Sequence, residues 1–155
     1  MPLNGRILAF DLGKRRVGLA LSDPLGVTAQ GIDTFIRTNN REDMARLVAL
    51  MAGRGVALML FGNPLHMSGK ESRQTGHARE FADRLSAASG LPYRLWDERW
   101  TTVEATRVLV ESGMSLDKRM KQVDKLSAVL LLESYLDAAR WALNERADEL
   151  DALSE

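Results

Sequence analysis

The chain has 155 residues, 45% hydrophobic and 27% charged, and its 21 basic and 21 acidic side chains give a formal net charge of zero. That is one ordinary globular domain with room for a sizeable core. It has no global basic signature for nucleic acid, no cysteine for disulfides or thiolate metal sites, no apolar signal core at its start and no run of membrane-spanning length, so a cytoplasmic protein without a membrane partner is expected.

The first element is Ile7 to Phe10, a short apolar run that suits a buried strand. It ends on a carboxylate, Asp11. Gly13 and a basic turn (Lys14, Arg15, Arg16) lead into a second apolar run, Val17 to Leu21. Strand alternation puts Ile7, Ala9 and Asp11 on one face and Leu8, Phe10 and Leu12 on the other. Asp11 is thus an acid at the end of a hydrophobic strand, where burial disfavours it unless something pairs with it. A divalent cation is one such partner; a simple turn cap is the plainer alternative.

Pro24 and Gly26 make a turn, and Val27 to Ile36 reads as a third strand of an antiparallel meander. Thr38 to Arg41 can cap a helix from about Glu42 to Ala52, with Met44, Leu47, Val48 and Met51 on one face. Gly53 and Gly55 end it. Val56 to Phe61 is wholly apolar, as expected of a central strand covered on both faces. Gly62-Asn63-Pro64 breaks it, and residues 62–72 form a polar loop.

A second helix is expected from about Arg73 to Ser89, with Ala78, Phe81, Ala82 and Leu85 inward. Tyr93 to Trp96 is a fifth strand, ending in Asp97-Glu98-Arg99. Thr101 with Glu104 makes a capping box for a helix ending near Gly113. Met114 to Lys121 reads as a flexible segment carrying Lys118, Arg119 and Lys121. A last helix starts near Gln122 and runs at least to Leu143. Residues 144–155 hold five acids and one base, so residues 1–143 carry 20 bases against 16 acids. A mildly basic domain over 1–143 with an acidic C-terminal tail over 144–155 is the expected organisation.

Three strands followed by alternating helices and strands predict an α/β fold, a mixed five-stranded sheet flanked by helices. Ligands in such sheets bind beyond the carboxyl ends of the parallel strands. Asp11, the 62–72 loop and the 97–99 triplet all belong to strand ends. Asp124 joins them from the last helix, ahead of a stripe of Ser127, Ala128, Leu131 and Tyr135. As a first-turn residue it could instead only complement the helix dipole.

Alternation groups Asp97 with Tyr93 and Leu95, and Glu98 with Arg94 and Trp96. It leaves open which acid enters a site, and a turn with a salt bridge to Arg99 is a further alternative. Three acids from separate elements would make an oxygen-rich site suited to Mg²⁺ or Mn²⁺. Such ions serve hydrolysis at phosphorus. The bases Lys14, Arg15, Arg16, Arg99, Lys118, Arg119 and Lys121 would suit a phosphate backbone, or form an ordinary solvated surface. His66 and His77 fit no familiar ligand spacing. Trp96, Trp100 and Trp141 read as packing residues, with Trp100 beside Arg99 also able to stack on a base.

Four stretches together resemble a known family. They are Asp11-Leu-Gly-Lys-Arg-Arg-Val-Gly-Leu-Ala-Leu-Ser-Asp23, Gly62-Asn-Pro-Leu65 with Gly69, Asp97-Glu-Arg-Trp-Thr-Thr102, and Asp124-Lys-Leu-Ser-Ala-Val-Leu-Leu-Leu-Glu-Ser-Tyr-Leu-Asp137. In order and over about residues 5–140, they resemble the YqgF (RuvX) family. Its members are small bacterial proteins of ribonuclease H-like fold, described as candidate Holliday junction resolvases and as nucleases maturing the 5′ end of 16S ribosomal RNA. The resemblance implies a three-acid site at Asp11, Glu98 and Asp124, holding Mg²⁺ or Mn²⁺. The family usually has Gly-Leu-Pro where this chain has Gly62-Asn63-Pro64, and two alanines where it has Ser127-Ala128.

The expectation is therefore a metal-dependent phosphodiesterase on structured nucleic acid, with precursor 16S ribosomal RNA ahead of branched DNA. Asp11, Glu98 and Asp124 would be both catalytic residues and metal ligands. Lys14, Arg16 and Arg99 would bind the scissile strand, and the product would leave with a 5′-phosphate. The ribosome or its precursor is a further partner, and the chain would act as a monomer or homodimer. A Holliday junction resolvase-like DNA endonuclease is the alternative within the class. A non-catalytic nucleic-acid-binding or ribosome-assembly factor would not need all three acids. A sugar kinase or actin-like ATPase reading of Asp11-x-Gly with Gly18 needs two domains, and this chain has room for one.

Overall fold

The computed structural model describes residues 5–63, 73–97, 111–113 and 115–154; the side chains of 63, 73–75, 97, 116, 117 and 119–124 are not among the described parts. The strands are β1 (Arg6–Leu12), β2 (Arg16–Ser22), β3 (Ala29–Ile36), β4 (Val56–Asn63) and β5 (Tyr93–Asp97). The helices are α1 (Asn40–Ala52), α2 (Arg73–Ser89) and α3 (Leu116–Ser154). The sheet order is β3-β2-β1-β4-β5. β1 runs antiparallel to β2, and β2 to β3. β4 lies parallel to β1 on its other side, and β5 parallel to β4. This is the expected meander plus two parallel strands.

Alternation along β1 sorts its side chains into two cores. Leu8 and Phe10 join Val17, Leu19, Met59 and Phe61 beneath α1 and α2, which contribute Leu47, Met51, Phe81, Ala82 and Leu85. Phe10 and Phe61 stack there at 4.5 Å between ring centroids. Ile7 and Ala9 join Ala20, Leu58 and Leu60 beneath Ala128, Leu131, Leu132, Tyr135 and Leu136 of α3. β1 and β4 are buried on both faces, which explains their unbroken apolar runs.

Several boundaries differ from the sequence reading by a residue or more, and three element starts differ for a local reason. β3 starts at Ala29 rather than Val27. The Asp23 carboxylate accepts hydrogen bonds from the Val27 and Thr28 amides at 2.7 and 2.8 Å, which holds that stretch as a loop. α1 starts at Asn40 because Asn39 is its N-cap, its side chain accepting from the Glu42 amide at 2.9 Å. The last helix begins at Leu116, not near Gln122, so 116–121 is helical rather than a flexible segment. Ser115 caps it, its hydroxyl accepting from the Lys118 amide at 3.4 Å. The same helix continues to Ser154 through the acidic segment, whose side chains are exposed.

The expected Thr101 capping box and the 64–72 loop lie outside the described residues. Gly113, at the far end of the stretch expected to be helical, has φ of 76°, the left-handed conformation that favours glycine at helix ends. Among the described residues, no helix is long and apolar enough to cross a membrane.

Candidate active site

The parallel strands bring three chain segments to one edge. Phe10 pairs with Phe61, so Asp11 and Gly62 follow side by side. Gly62 pairs with Trp96 and Asn63 with Asp97, the last residue of β5. The ends of β1, β4 and β5 therefore line up along one side of the sheet.

Asp11 is half-buried and takes part in polar or electrostatic contacts of its own. It continues the Ile7–Ala9 alternation on the face covered by α3. Arg94 and Trp96 share that face. The Arg94 guanidinium donates to the Tyr135 hydroxyl at 3.2 Å, and the Trp96 indole donates to the Ser134 hydroxyl at 3.1 Å.

The direction of α3 follows from its contacts. Lys125 and Val129 lie against Gly31, where a Cβ would meet Lys125 carbons at 2.7 Å and Val129 at 3.2 Å. Gly31 pairs with Ala20 and Ala20 with Ala9, so this contact sits two rungs from the row of Asp11. Further along, Leu136 lies near Gly26 and Arg140 donates to the Val27 carbonyl at 3.2 Å, at the opposite end of the sheet. The N-terminal half of α3 thus approaches the Asp11 end. Position 124 lies one turn before Ser127 and Ala128 along α3, towards that end. It lies just over two turns inside the helix, beyond the reach of a first-turn dipole effect. Ser127 is 1% exposed and its hydroxyl has no hydrogen-bond partner among the described residues.

The predicted basic residues divide between the two faces. Arg16 is half-buried on β2, on the α3 side with Ala20, two positions diagonal from Asp11's partner Gly18. Lys14 and Arg15 are exposed at the tip of the turn. That turn is tight: the Gly13 amide donates to the Arg16 carbonyl at 2.8 Å, and Arg37 donates to the Gly13 carbonyl at 2.8 Å. Glu98 and Arg99 lie outside the described residues, as does His66. Among the described residues, no group of three or more acidic or imidazole side chains could hold a metal ion. Of the three predicted ligands, only Asp11 has a described side chain.

Across the same edge, on the α1 and α2 side, a cleft of about 650 Å³ opens between the β1–β2 turn and α2. Arg37, His77, Phe81 and Arg84 help to line it, with Lys14 and Arg15 at its rim. Sequence reasoning missed it, because its wall is assembled from separate elements with no shared local pattern. Among the described residues, the two groups with shifted acidity lie elsewhere. Backbone amides, that of Thr28 first, hold Asp23 below the usual carboxylate range. A hydrogen bond to Asp83 pushes the Tyr93 hydroxyl up.

Residues 5–138 match the family model described as RuvX, Holliday junction resolvase. A protein of Koribacter versatilis (strain Ellin345), named a candidate pre-16S rRNA nuclease, is 51% identical over 135 residues, covering 87% of this chain and 88% of its own. Two solved structures share the fold at low identity. The Fowlpox virus resolvase, in complex with substrate Holliday junction DNA, has a TM-score of 0.54 and 12% identity over 86% of this chain and 98% of its own. Thermus thermophilus RuvC has a TM-score of 0.51 and 13% identity over 87% and 96%. The architecture is thus the ribonuclease H-like one of resolvases.

Proposed function

This chain belongs to the RuvX family, and from that premise we propose that it is a divalent-metal-dependent nuclease that trims the 5′ end of precursor 16S ribosomal RNA. The observation that carries the proposal is the shared edge. The ends of three parallel strands and the N-terminal half of α3 meet there, with Asp11 on the face that α3 covers. The rRNA substrate follows the name of the half-identical relative.

The three acids fit a hard cation. Asp11 ends an otherwise apolar face of β1 and is half-buried, a placement that a nearby positive charge favours. Arg94 and Trp96 both contact α3, so continued alternation favours Glu98 over Asp97 as the β5 contribution. Position 124 sits in the interior of α3, which removes the dipole argument for an acid there and supports a site role. Asp11, Glu98 and Asp124 would hold Mg²⁺ or Mn²⁺ through carboxylate oxygens. When bound, the metal would polarise the scissile phosphate as a Lewis acid.

The remaining work falls to the protein. Arg16, on the Asp11 face, would hold a phosphate of the scissile strand. Lys14 and Arg99 would anchor its neighbours and fix the register without reading sequence. A single copy suffices to trim one RNA end, whereas symmetric junction cutting would need two copies facing two-fold related strands.

The test is cleavage of precursor 16S RNA by purified protein with Mg²⁺ or Mn²⁺, beside Asp11→Asn. Cleavage by wild type, and binding without cleavage by the variant, support the assignment. Binding without cleavage by both would leave a binding factor. Cleavage of a four-way junction in preference to the RNA would move the substrate to DNA.

A further inference from the structure

We propose that the cleft on the α1 and α2 side is a second nucleic-acid channel, holding a short single-stranded segment that flanks the scissile bond. The proposal rests on the nuclease reading for its substrate. Its own support is geometric.

The cleft begins where the acidic edge ends. Asp11 faces α3, while the next residues, Leu12 and Gly13, line the cleft, as does Gly62 at the end of β4. A strand passing over the β1–β2 turn therefore leaves one face and enters the other within a residue or two of Asp11. The turn it crosses carries Lys14 and Arg15, both exposed and with no side-chain partner among the described residues.

The charge balance inside favours phosphate. Among the described residues two acids contribute to the wall, and both are engaged. Asp43 is 1% exposed and accepts from the Thr38 amide at 3.0 Å and the Thr38 hydroxyl at 2.9 Å. Glu80 pairs with Arg84 at 3.3 Å across exposed side chains, a contact that a phosphate can displace. Arg37 is held in place before any ligand arrives. One of its N–H groups donates to the Gly13 carbonyl, and its guanidinium lies 5.3 Å over the Phe81 ring. A guanidinium has five N–H donors, so the Gly13 contact leaves others for a phosphate. Such ordering in advance lowers the entropic cost of binding.

The cleft, of about 650 Å³, is of the size that holds one or a few nucleotide units rather than a long stretch of chain. Basic rims with a ring or guanidinium to stack on are the usual means of holding single strands, and His77 with Arg37 supplies them here.

The test uses Arg15→Gln/Arg84→Gln, two exposed positions whose change should leave the fold intact, checked by thermal melting. Binding of a labelled single-stranded oligonucleotide is measured by anisotropy against salt. Each lost phosphate contact on single strands lowers the log–log salt slope by about 0.7 and affinity about fivefold near 0.1 M salt, so the double variant should lose about 1.4 in slope and about 25-fold in affinity. The preference for a cleavable substrate with a single-stranded flank over the same substrate with the flank removed should shrink in parallel. Arg15→Lys/Arg84→Lys should restore most of the slope. An unchanged slope, or a flank that confers no advantage on wild type, overturns the proposal. So does competition by inorganic phosphate or a mononucleotide as effective as by the oligonucleotide, which would make the cleft a free-anion site. If wild type cleaves neither substrate but the slope falls as stated, the channel stands and the nuclease reading fails.

Discussion

Ser127→Ala should stabilise the protein. Ser127 is 1% exposed on the sheet-facing side of α3, and its hydroxyl is unpartnered among the described residues. An unsatisfied buried hydroxyl costs about 1–3 kcal/mol, and deleting it to leave the alanine methyl removes that cost. Alanine also has the better helix propensity, by about 0.5 kcal/mol. Against this, losing one oxygen opens a little space between α3 and the sheet. A net gain of about 1–2 kcal/mol is expected. At about 2–4 °C per kcal/mol for a chain of this size, the melting temperature should rise by about 2–8 °C. Urea and thermal unfolding, read on the tryptophans, measure it. A loss of more than about 0.5 kcal/mol would refute the reasoning, because it would mean that the hydroxyl makes a hydrogen bond the fold needs.

Three further variants probe other links of the argument. Asp124→Asn should change stability by less than about 0.5 kcal/mol, since asparagine and aspartate have similar propensity in a helix interior; cleavage should fall by orders of magnitude while RNA binding survives, and wild-type cleavage would remove Asp124 from the site. Gly13→Ala should cost about 1–3 kcal/mol by overpacking, because its Cβ would lie 2.6 Å from the Arg16 carbonyl oxygen, backbone that cannot swing away; an unchanged urea midpoint would show that the turn yields freely. Backbone amides, that of Thr28 first, hold the folded-state pKa of Asp23 below its ordinary value of 3.8, so its carboxylate stabilises the fold above that pH, and the contribution disappears as pH falls through the lowered folded value. Asp23→Asn should thus be less stable than wild type at pH 6, with the gap closing at the acid end; a pH-independent gap would show that the amide contacts do not depend on charge.

Much of this was legible in the chain. The apolar run of β4, uninterrupted from Val56 to Phe61, could only be a central strand, and β1 carried its acid visibly at its end. The bounds of α2 followed from a clear apolar stripe. The start of α3 was harder. Leu116 to Lys121 is dominated by charged side chains, and among the described side chains of α3 the buried stripe starts at Ser127. The readable signal was Ser115, a capping residue three positions before Lys118. Which face of β5 meets α3 could not be read from alternation, because it is a tertiary fact, carried by the contacts of Arg94 with Tyr135 and Trp96 with Ser134. The basic cleft was invisible for the same reason: Gly13, Arg37 and Phe81 are far apart in sequence and meet only once α2 packs beside the β1–β2 turn.

The central claim is that Asp11 serves chemistry rather than the fold. The most direct measurement is single-turnover cleavage of a 5′-extended precursor 16S RNA by wild type and Asp11→Asn, each with Mg²⁺, with Mn²⁺ and with chelator, alongside RNA affinity and melting temperature. The account predicts a metal-dependent cut at the 5′ end by wild type and a loss of at least about a thousandfold in rate for the variant, with binding and fold retained. Cleavage by Asp11→Asn at the wild-type rate, or by wild type at full rate in chelator, would contradict it.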